Sequence, residues 1–160
     1  MVAELSAALI VEIDRTAALI ASQTNICILT GAGISAESGI PTFRVKQTGL
    51  WENYRAEDLA TPEAFVRDPK LVWSWYQWRR QLVHDKAPNP AHLALAEWQQ
   101  NTNQQLTFIT QNVDDLHEQA GSQVTHLHGH LWRNRCHQCN ASYQGSDADK
   151  QGQLFDDKLI

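Results

Sequence analysis

The run Asn25 to Thr30 (NICILT) stops abruptly at Gly31-Ala32-Gly33, and this junction constrains the fold more than any other stretch of the chain. A short, unbroken run of strand formers suits a strand covered on both faces, as in a parallel sheet; a half-exposed strand would alternate. Glycine directly after such a strand allows the backbone to approach a bound group closely. Gly31, Ala32, Gly33, Ile34, Ser35 and Ala36 fit the G-x-G-x-x-G/A spacing of dinucleotide sites, in which a helix N-terminus faces a pyrophosphate. Taken alone the pattern is weak, because a plain tight turn into a helix uses the same glycines.

The rest of the chain sets this junction in an α/β context. Leu5, Leu9, Ile13 and Leu19 fall on one face, which predicts an amphipathic helix over residues 3–21. Residues 31–50 read as loop and short helix, and a helical region runs from Thr61 to about His84, with Pro62 in its tolerant first turn. Asn89-Pro90 breaks it, and Ala91 to Gln100 forms the next helix. Leu106 to Thr110 (LTFIT) is a second buried strand, Asp114 to Gln119 a short helix closed by Gly121, and Val124 to His128 a third strand. Strands alternating with helices predict a Rossmann-like parallel sheet. Within the long helix, Leu71, Trp75, Trp78 and Leu82 form a stripe expected to be buried. Val72, Tyr76, Arg79 and Val83 form the neighbouring stripe, where Tyr76 and Arg79 on their own read as a solvated pair. Cys27 reads as plain core.

Charge and cysteine usage exclude several classes. Eighteen acidic residues against thirteen Lys and Arg give a net charge of −5 with no basic run, so a nucleic-acid partner is not expected. The apolar stretches are too short to cross a bilayer, and the N-terminus lacks the basic region of a signal peptide, so no membrane association is expected. Three cysteines make a poor disulfide framework, whereas Cys136-x-x-Cys139 reads as half of a zinc site in a reducing compartment, with a redox dithiol as the alternative. A cytoplasmic location is expected. Zinc takes about four ligands; only one pair is in sight, and residues 140–160 end without periodicity, so the chain reads as C-terminally truncated.

Three blocks in order carry a family likeness: GAGISAESGIPTFR (Gly31 to Arg44), TQNVDDLH (Thr110 to His117) and HLHGH (His126 to His130). They resemble the sirtuins, NAD-dependent protein deacylases. GLWENYRAEDLATPEAF and Tyr76-x-x-Arg79 resemble the branch that removes acidic acyl groups. The resemblance implies cleavage of the nicotinamide–ribose bond of NAD, attack of an acyl-lysine carbonyl oxygen at the ribose, and transfer of the acyl group to ADP-ribose. It implies acyl-lysine proteins as substrates, succinyl- and malonyl-lysine among them. His128, immediately before Gly129, matches the general base, a task suited to imidazole. Strand alternation alone puts His126, His128 and His130 on one side and cannot choose between them; His130 stands where the family pattern has another residue type. Gly31 to Ala36, Gln111, Asn112, Val113 and Asp114 match the cofactor-binding positions, and Phe43 and Arg44 the loop covering the cofactor. A capping role for Asn112 or Asp114 is the plain structural alternative. Tyr76 and Arg79 match the pair that binds the acyl carboxylate, which a guanidinium grips in bidentate fashion. Ala60 matches a small residue that leaves room for the acyl chain. Cys136 and Cys139 match the first half of the structural zinc site.

The resemblance implies a partial catalytic domain, with Rossmann-like parts at about 1–50 and 104–130, a helical module at about 51–103 and the start of a zinc-binding module at about 131–160. Such a chain is expected to be impaired or inactive by itself. Two rivals are a non-catalytic fragment that binds NAD or a partner, and an NAD-dependent oxidoreductase. The latter needs an acidic residue about twenty positions after the glycine loop, at the end of a second strand. Glu52 lies near that distance, but a loop-like stretch precedes it.

Overall fold

The computed structural model describes residues 6–41, 51 and 54–144. Asn25–Thr30 is strand β1, preceded by helix α1 (Ala7–Ala21). Helices α2 (Ala56–Leu59), α3 (Pro62–Arg67), α4 (Pro69–His84) and α5 (Pro90–Asn101) follow. Then come β2 (Gln105–Thr110), α6 (Leu116–Gln119), β3 (Thr125–His126) and a hairpin of β4 (Arg133–Arg135) and β5 (Ser142–Gln144). The main sheet has the order β1-β2-β3 with both pairings parallel, as the apolar runs predict, and its register sets Thr30 opposite Thr110.

Local chemistry sets the helix boundaries. Proline opens α3, α4 and α5, where its missing N–H is no loss. Thr61, Asp68 and Asn89 cap these helices by accepting from Ala64, Leu71 and Ala91 backbone N–H groups. Asp68 also splits the predicted 61–84 helical region in two, ending α3 and capping α4.

Three expectations about burial are corrected. β1 alternates exposed and half-buried residues and leaves Cys27 and Leu29 open, so among the described residues Cys27 is not core and the strand is covered on one face only. No residue of α1 is buried, so its apolar stripe has no partner among the described residues. On α4 the buried set is Val72, Trp75, Gln77, Arg80 and Val83, with Leu71 and Trp78 packed at the edge of the core. That core lies in the helical module, where Trp75 and Val72 meet Trp51, Leu59 and Ala64.

Arg80 joins this module to the hairpin. It is 3% exposed and donates to the Leu131 carbonyl at 2.7 Å, Gln77 Oε1 at 3.0 Å and Asn134 Oδ1 at 2.6 Å. Its guanidinium also sits 5.0 Å from the Trp73 ring centroid. Buried acceptors left without a donor cost about 1–3 kcal/mol each. Arg80→Met should therefore lower stability by at least about 2 kcal/mol in urea unfolding; an unchanged midpoint would show that water takes over these acceptors.

Candidate functional site

The carboxyl ends of β1 and β2 converge on a polar cluster. The Thr30 hydroxyl donates to Thr110 Oγ1 at 2.9 Å, and Thr110 Oγ1 also accepts the Asn112 N–H at 3.1 Å. Asn112 Nδ2 then donates to Ser35 Oγ at 2.9 Å, and the Ser35 hydroxyl donates to Asp114 Oδ2 at 3.0 Å. Asp114 Oδ1 accepts the Leu116 N–H at 3.2 Å, so this residue also caps the turn into α6. Ser35, Asn112 and Asp114 are 1%, 6% and 6% exposed. The structure thus brings together, from positions about eighty residues apart, three of the predicted cofactor residues. Their location at the carboxyl edge of a parallel sheet is where ligands of open α/β folds bind.

The glycine loop departs from its expected shape. Residues 32–39 form successive turns, with Ile34 N–H bonded to the Gly31 carbonyl and Ala36 N–H to that of Gly33, rather than a regular helix. Gly31 and Gly33 have ordinary backbone angles, and a Cβ added at either would meet nothing within 4 Å. Neither turn geometry nor internal packing demands glycine there. The open space beside the strand end fits a bound pyrophosphate. Ala32 and Ile34 are half-buried and Ala36 exposed, while Phe43 and Arg44 lie outside the described residues.

Asn89, read from sequence only as a helix breaker, holds this loop. Its Oδ1 caps α5, while its Nδ2 donates to the Ile34 carbonyl at 2.7 Å and to Ser38 Oγ at 3.1 Å. Asn-Pro ahead of a helix signals the cap; the contact back to residue 34 has no local signal. Behind the cluster, His92 and His117 are 0% and 1% exposed, with ring centroids 4.9 Å apart. His117 Nε2 lies 3.0 Å from the Thr30 hydroxyl.

The remaining predicted residues surround this centre unequally. Val113 is half-buried, its carbonyl accepting the Leu131 N–H, and Gln111 is exposed. β3 ends at His126, so the three histidines do not share a strand face. His126 and His130 turn inward, whereas His128 is exposed on the turn containing Gly129, whose φ of +82° favours glycine. Tyr76 and Arg79 are not a solvated pair. Both are half-buried; Tyr76 meets Trp75 edge-on, and the Arg79 guanidinium lies 5.0 Å from the Trp75 ring centroid. Burial pulls Arg79 below its ordinary range, opposed by Tyr76 and by the Asp114 carboxylate. Arg79 thus lies within the electrostatic reach of the cluster. Ala60 is exposed at the end of α2.

Cys136 and Cys139 lie apart, in the β4–β5 hairpin, and both are exposed. The Cys136 thiol is lowered by hydrogen bonds from the Cys139 and Gln138 backbones and from the Cys139 side chain. Amide groups aimed at a sulfur favour the thiolate, which is the form that binds a metal, so the pair fits zinc with two of its four ligands.

The sequence of residues 31–156 matches the Sir2 family. The chain belongs to the Sir2 family. It is 53% identical over 130 residues to NAD-dependent protein deacylase 2 of Pyrobaculum aerophilum, covering 81% of this chain and 51% of that protein. It is 53% identical over 123 residues to the mitochondrial NAD-dependent protein deacylase sirtuin-5 of Danio rerio, covering 74% and 40%. A crystal structure of a Sir2 homologue–NAD complex superposes with a TM-score of 0.75 at 51% identity, covering 82% of this chain and 51% of that one. A Sir2 protein bound to a deacetylated peptide and 3′-O-acetyl ADP-ribose superposes at 0.69 with 30% identity, covering 82% and 52%. The Rossmann-like α/β reading is therefore confirmed, and this Sir2 chain spans about half the length of the curated relatives it matches.

Two measurements test the site. Asn89→Asp keeps the cap on α5 but replaces the donor facing Ile34 with an acceptor. Amide exchange in residues 32–38 should quicken by about tenfold with α5 unchanged, because one buried hydrogen bond contributes about 1–1.5 kcal/mol. Equal loosening of α5 would mean that Asn89 acts only as a cap.

The second is pH. Burial is the larger cause pulling both His92 and His117 below the ordinary histidine range; Asp114 opposes it in both, and His92 adds to it in His117. The folded chain therefore binds fewer protons here than the unfolded chain, whose histidines titrate near about 6.5. Their contribution to stability is complete above that pH and is lost as pH falls through the depressed native values. Urea midpoints should drop as pH falls below about 6.5, and His117→Gln should flatten the dependence. A profile unaltered by the substitution would assign the acid sensitivity elsewhere.

Proposed function

We propose that this chain carries the cofactor-binding and base-bearing part of an NAD-dependent protein-lysine deacylase, with succinyl- and malonyl-lysine among its substrates and acetyl-lysine also accepted. The observation that carries the reading is the buried Ser35–Asn112–Asp114 cluster at the sheet edge, beside a glycine loop with open space at both glycines. Relatives named as NAD-dependent protein deacylases support it.

In this reading, Gly31 to Ala36 receive the pyrophosphate, with Phe43 and Arg44 on the covering loop. Gln111, Asn112, Val113 and Asp114 with Ser35 receive the nicotinamide and its ribose. NAD, when bound, supplies the cleavable nicotinamide bond and the acceptor for the acyl group. The chain's own residues orient it and move protons. The exposed imidazole of His128 takes a proton from a ribose hydroxyl, a role open to it because its strand has ended and its ring faces outward. Arg79 and Tyr76 hold the free carboxylate of the acyl group, and the small Ala60 leaves room for its chain. The Trp75 ring lies against that guanidinium, 5.0 Å from its centroid. Cys136 and Cys139 would hold zinc, which contributes structure and takes no part in the reaction. Exposed free thiols favour a reducing compartment, so a cytoplasmic location is proposed with this function. Partners are acyl-lysine proteins; no nucleic acid or membrane role is proposed.

One observation favours a second reading. Leu9, Val11, Ile13 and Leu19 of α1 and Leu29 of β1 are each 46–62% exposed. A chain with such a face fits ligand or partner binding without turnover by itself.

The assay is nicotinamide release from NAD with succinyl-lysine and acetyl-lysine peptides. Under the first reading His128→Ala lowers turnover by about 10²–10⁴-fold. Arg79→Met lowers kcat/KM for the succinyl peptide about ten- to a hundredfold more than for the acetyl peptide. Equal losses on both peptides would make Arg79 a support for the fold. NAD binding with no release from either peptide would favour the second reading.

A further inference from the structure

Glu118, His126 and His130 place a ligand atom each within 4.8 Å of one another, at the turn that carries His128. His126 Nδ1 lies 2.7 Å from the Asn112 carbonyl oxygen, and its Nε2 lies 2.7 Å from Glu118 Oε1. Both partners are acceptors, so each contact needs a proton, and a neutral imidazole has one N–H. The geometry is that of an imidazolium shared between a carbonyl and a carboxylate. On the far side of the turn, His130 Nε2 approaches the same Glu118 Oε1 at 3.8 Å, and its ring meets His126 edge-on with centroids 4.8 Å apart. Its Nδ1 accepts the Trp132 N–H at 3.1 Å.

A metal ion accounts for this arrangement less well. Two ligands of a tetrahedral zinc stand about 3.3 Å apart at ordinary bond lengths, and the His126–Glu118 separation is 2.7 Å. An Nδ1 that accepts from Trp132 also leaves the proton of neutral His130 on Nε2, the nitrogen facing Glu118.

Between His126 and His130 the chain turns outward through Leu127, His128 and Gly129, all exposed. The turn is tied to the sheet by Leu127 N–H to the Thr110 carbonyl and Leu131 N–H to the Val113 carbonyl. Glu118 Oε1 lies within ion-pair distance of both histidines that flank His128. We propose that Glu118 is a positioning residue: its carboxylate clamps His126 and His130, fixing the turn that presents His128, and holds His126 doubly protonated against the Asn112 carbonyl. The second effect reaches the cofactor cluster, because Asn112 is then fixed at its N–H, its side chain and its carbonyl. Glu118 Oε2 is buried and has no hydrogen-bond partner among the described residues, so its hydrogen-bonded contact is the one through Oε1 to His126.

The charged and titratable surroundings agree. His117 on α6 is pushed down in part by His126, and His130 by burial first and then by His126 and Arg133, with Glu118 and Asp115 opposing. A cleft of about 410 Å³ lined by Asp115, Glu118, His130 and Arg133 gives solvent access to the clamp. The assignment rests on the reading of His128 as base and Asn112 as cofactor residue.

The test is nitrogen-15 spectroscopy of the histidine rings and backbone amides near pH 7, with Glu118→Gln, which keeps the side-chain shape and removes the charge. Wild-type His126 should show two ring N–H protons and the variant one, with amide shifts at Asn112 and across Leu127 to His130. His130→Gln removes only the outer arm; it should leave both His126 protons in place and loosen residues 128–130. In the nicotinamide-release assay, Glu118→Gln should lower kcat about ten- to a hundredfold with a smaller change in KM for NAD. A wild-type chain that releases no nicotinamide would count against the proposed function, and the spectra would still decide the clamp. One ring proton on wild-type His126, or unmoved amides at residues 127–130 in Glu118→Gln, would overturn it. So would one equivalent of zinc bound through His126 and His130 in a Cys136→Ser, Cys139→Ser background.

Discussion

The parallel register that sets Thr30 opposite Thr110 is the constraint from which the rest of the site follows. It brings two hydroxyls together at the carboxyl edge of the sheet, and the hydrogen-bond chain from Thr30 through Thr110, Asn112 and Ser35 to Asp114 grows from that pair. A slip of one residue would turn every side chain of β1 to the other face and remove the first link. Because the chain is buried, each link must be satisfied, and this fixes Ser35 and Asn112 in single orientations. Polar groups held in this way need little further ordering to receive a ligand.

Histidines extend the same economy to charge. His92 and His117 lie behind the hydroxyl pair and are kept neutral by burial, while His126 meets acceptors on both nitrogens beside Glu118. His128 stands outside, exposed on its turn. One residue type thus meets different surroundings at four positions, and of these four His128 alone is exposed.

Legibility in the sequence followed the range of the physics. The strand β1 and the proline that opens α3 rest on interactions within a few residues, and patterns show them. The three sequence blocks located Ser35, Asn112 and Asp114. Their convergence depends on sheet register, which no window of sequence displays. Cys27 was misread because an apolar run suggests cover on both faces, and among the described residues β1 has cover on one. The common side expected for His126, His128 and His130 failed because β3 ends after two residues and the chain turns. Asn89 on Ile34 and Glu118 on His126 escaped for another reason: each is a side chain reaching across the fold, with an ordinary local role to explain its presence.

The central claim is that the Ser35–Asn112–Asp114 cluster and the adjoining glycine loop receive the nicotinamide end and pyrophosphate of NAD. Titration of the chain with NAD, followed by nitrogen-15 amide spectra residue by residue, tests it most directly. The account predicts saturable shifts concentrated at residues 31–36 and 111–114, abolished by Asn112→Ala in a chain that keeps its folded spectrum. Shifts concentrated instead around Val83, Gln119 and Trp132, in the cleft between α4 and α6, or none at millimolar NAD, would contradict it.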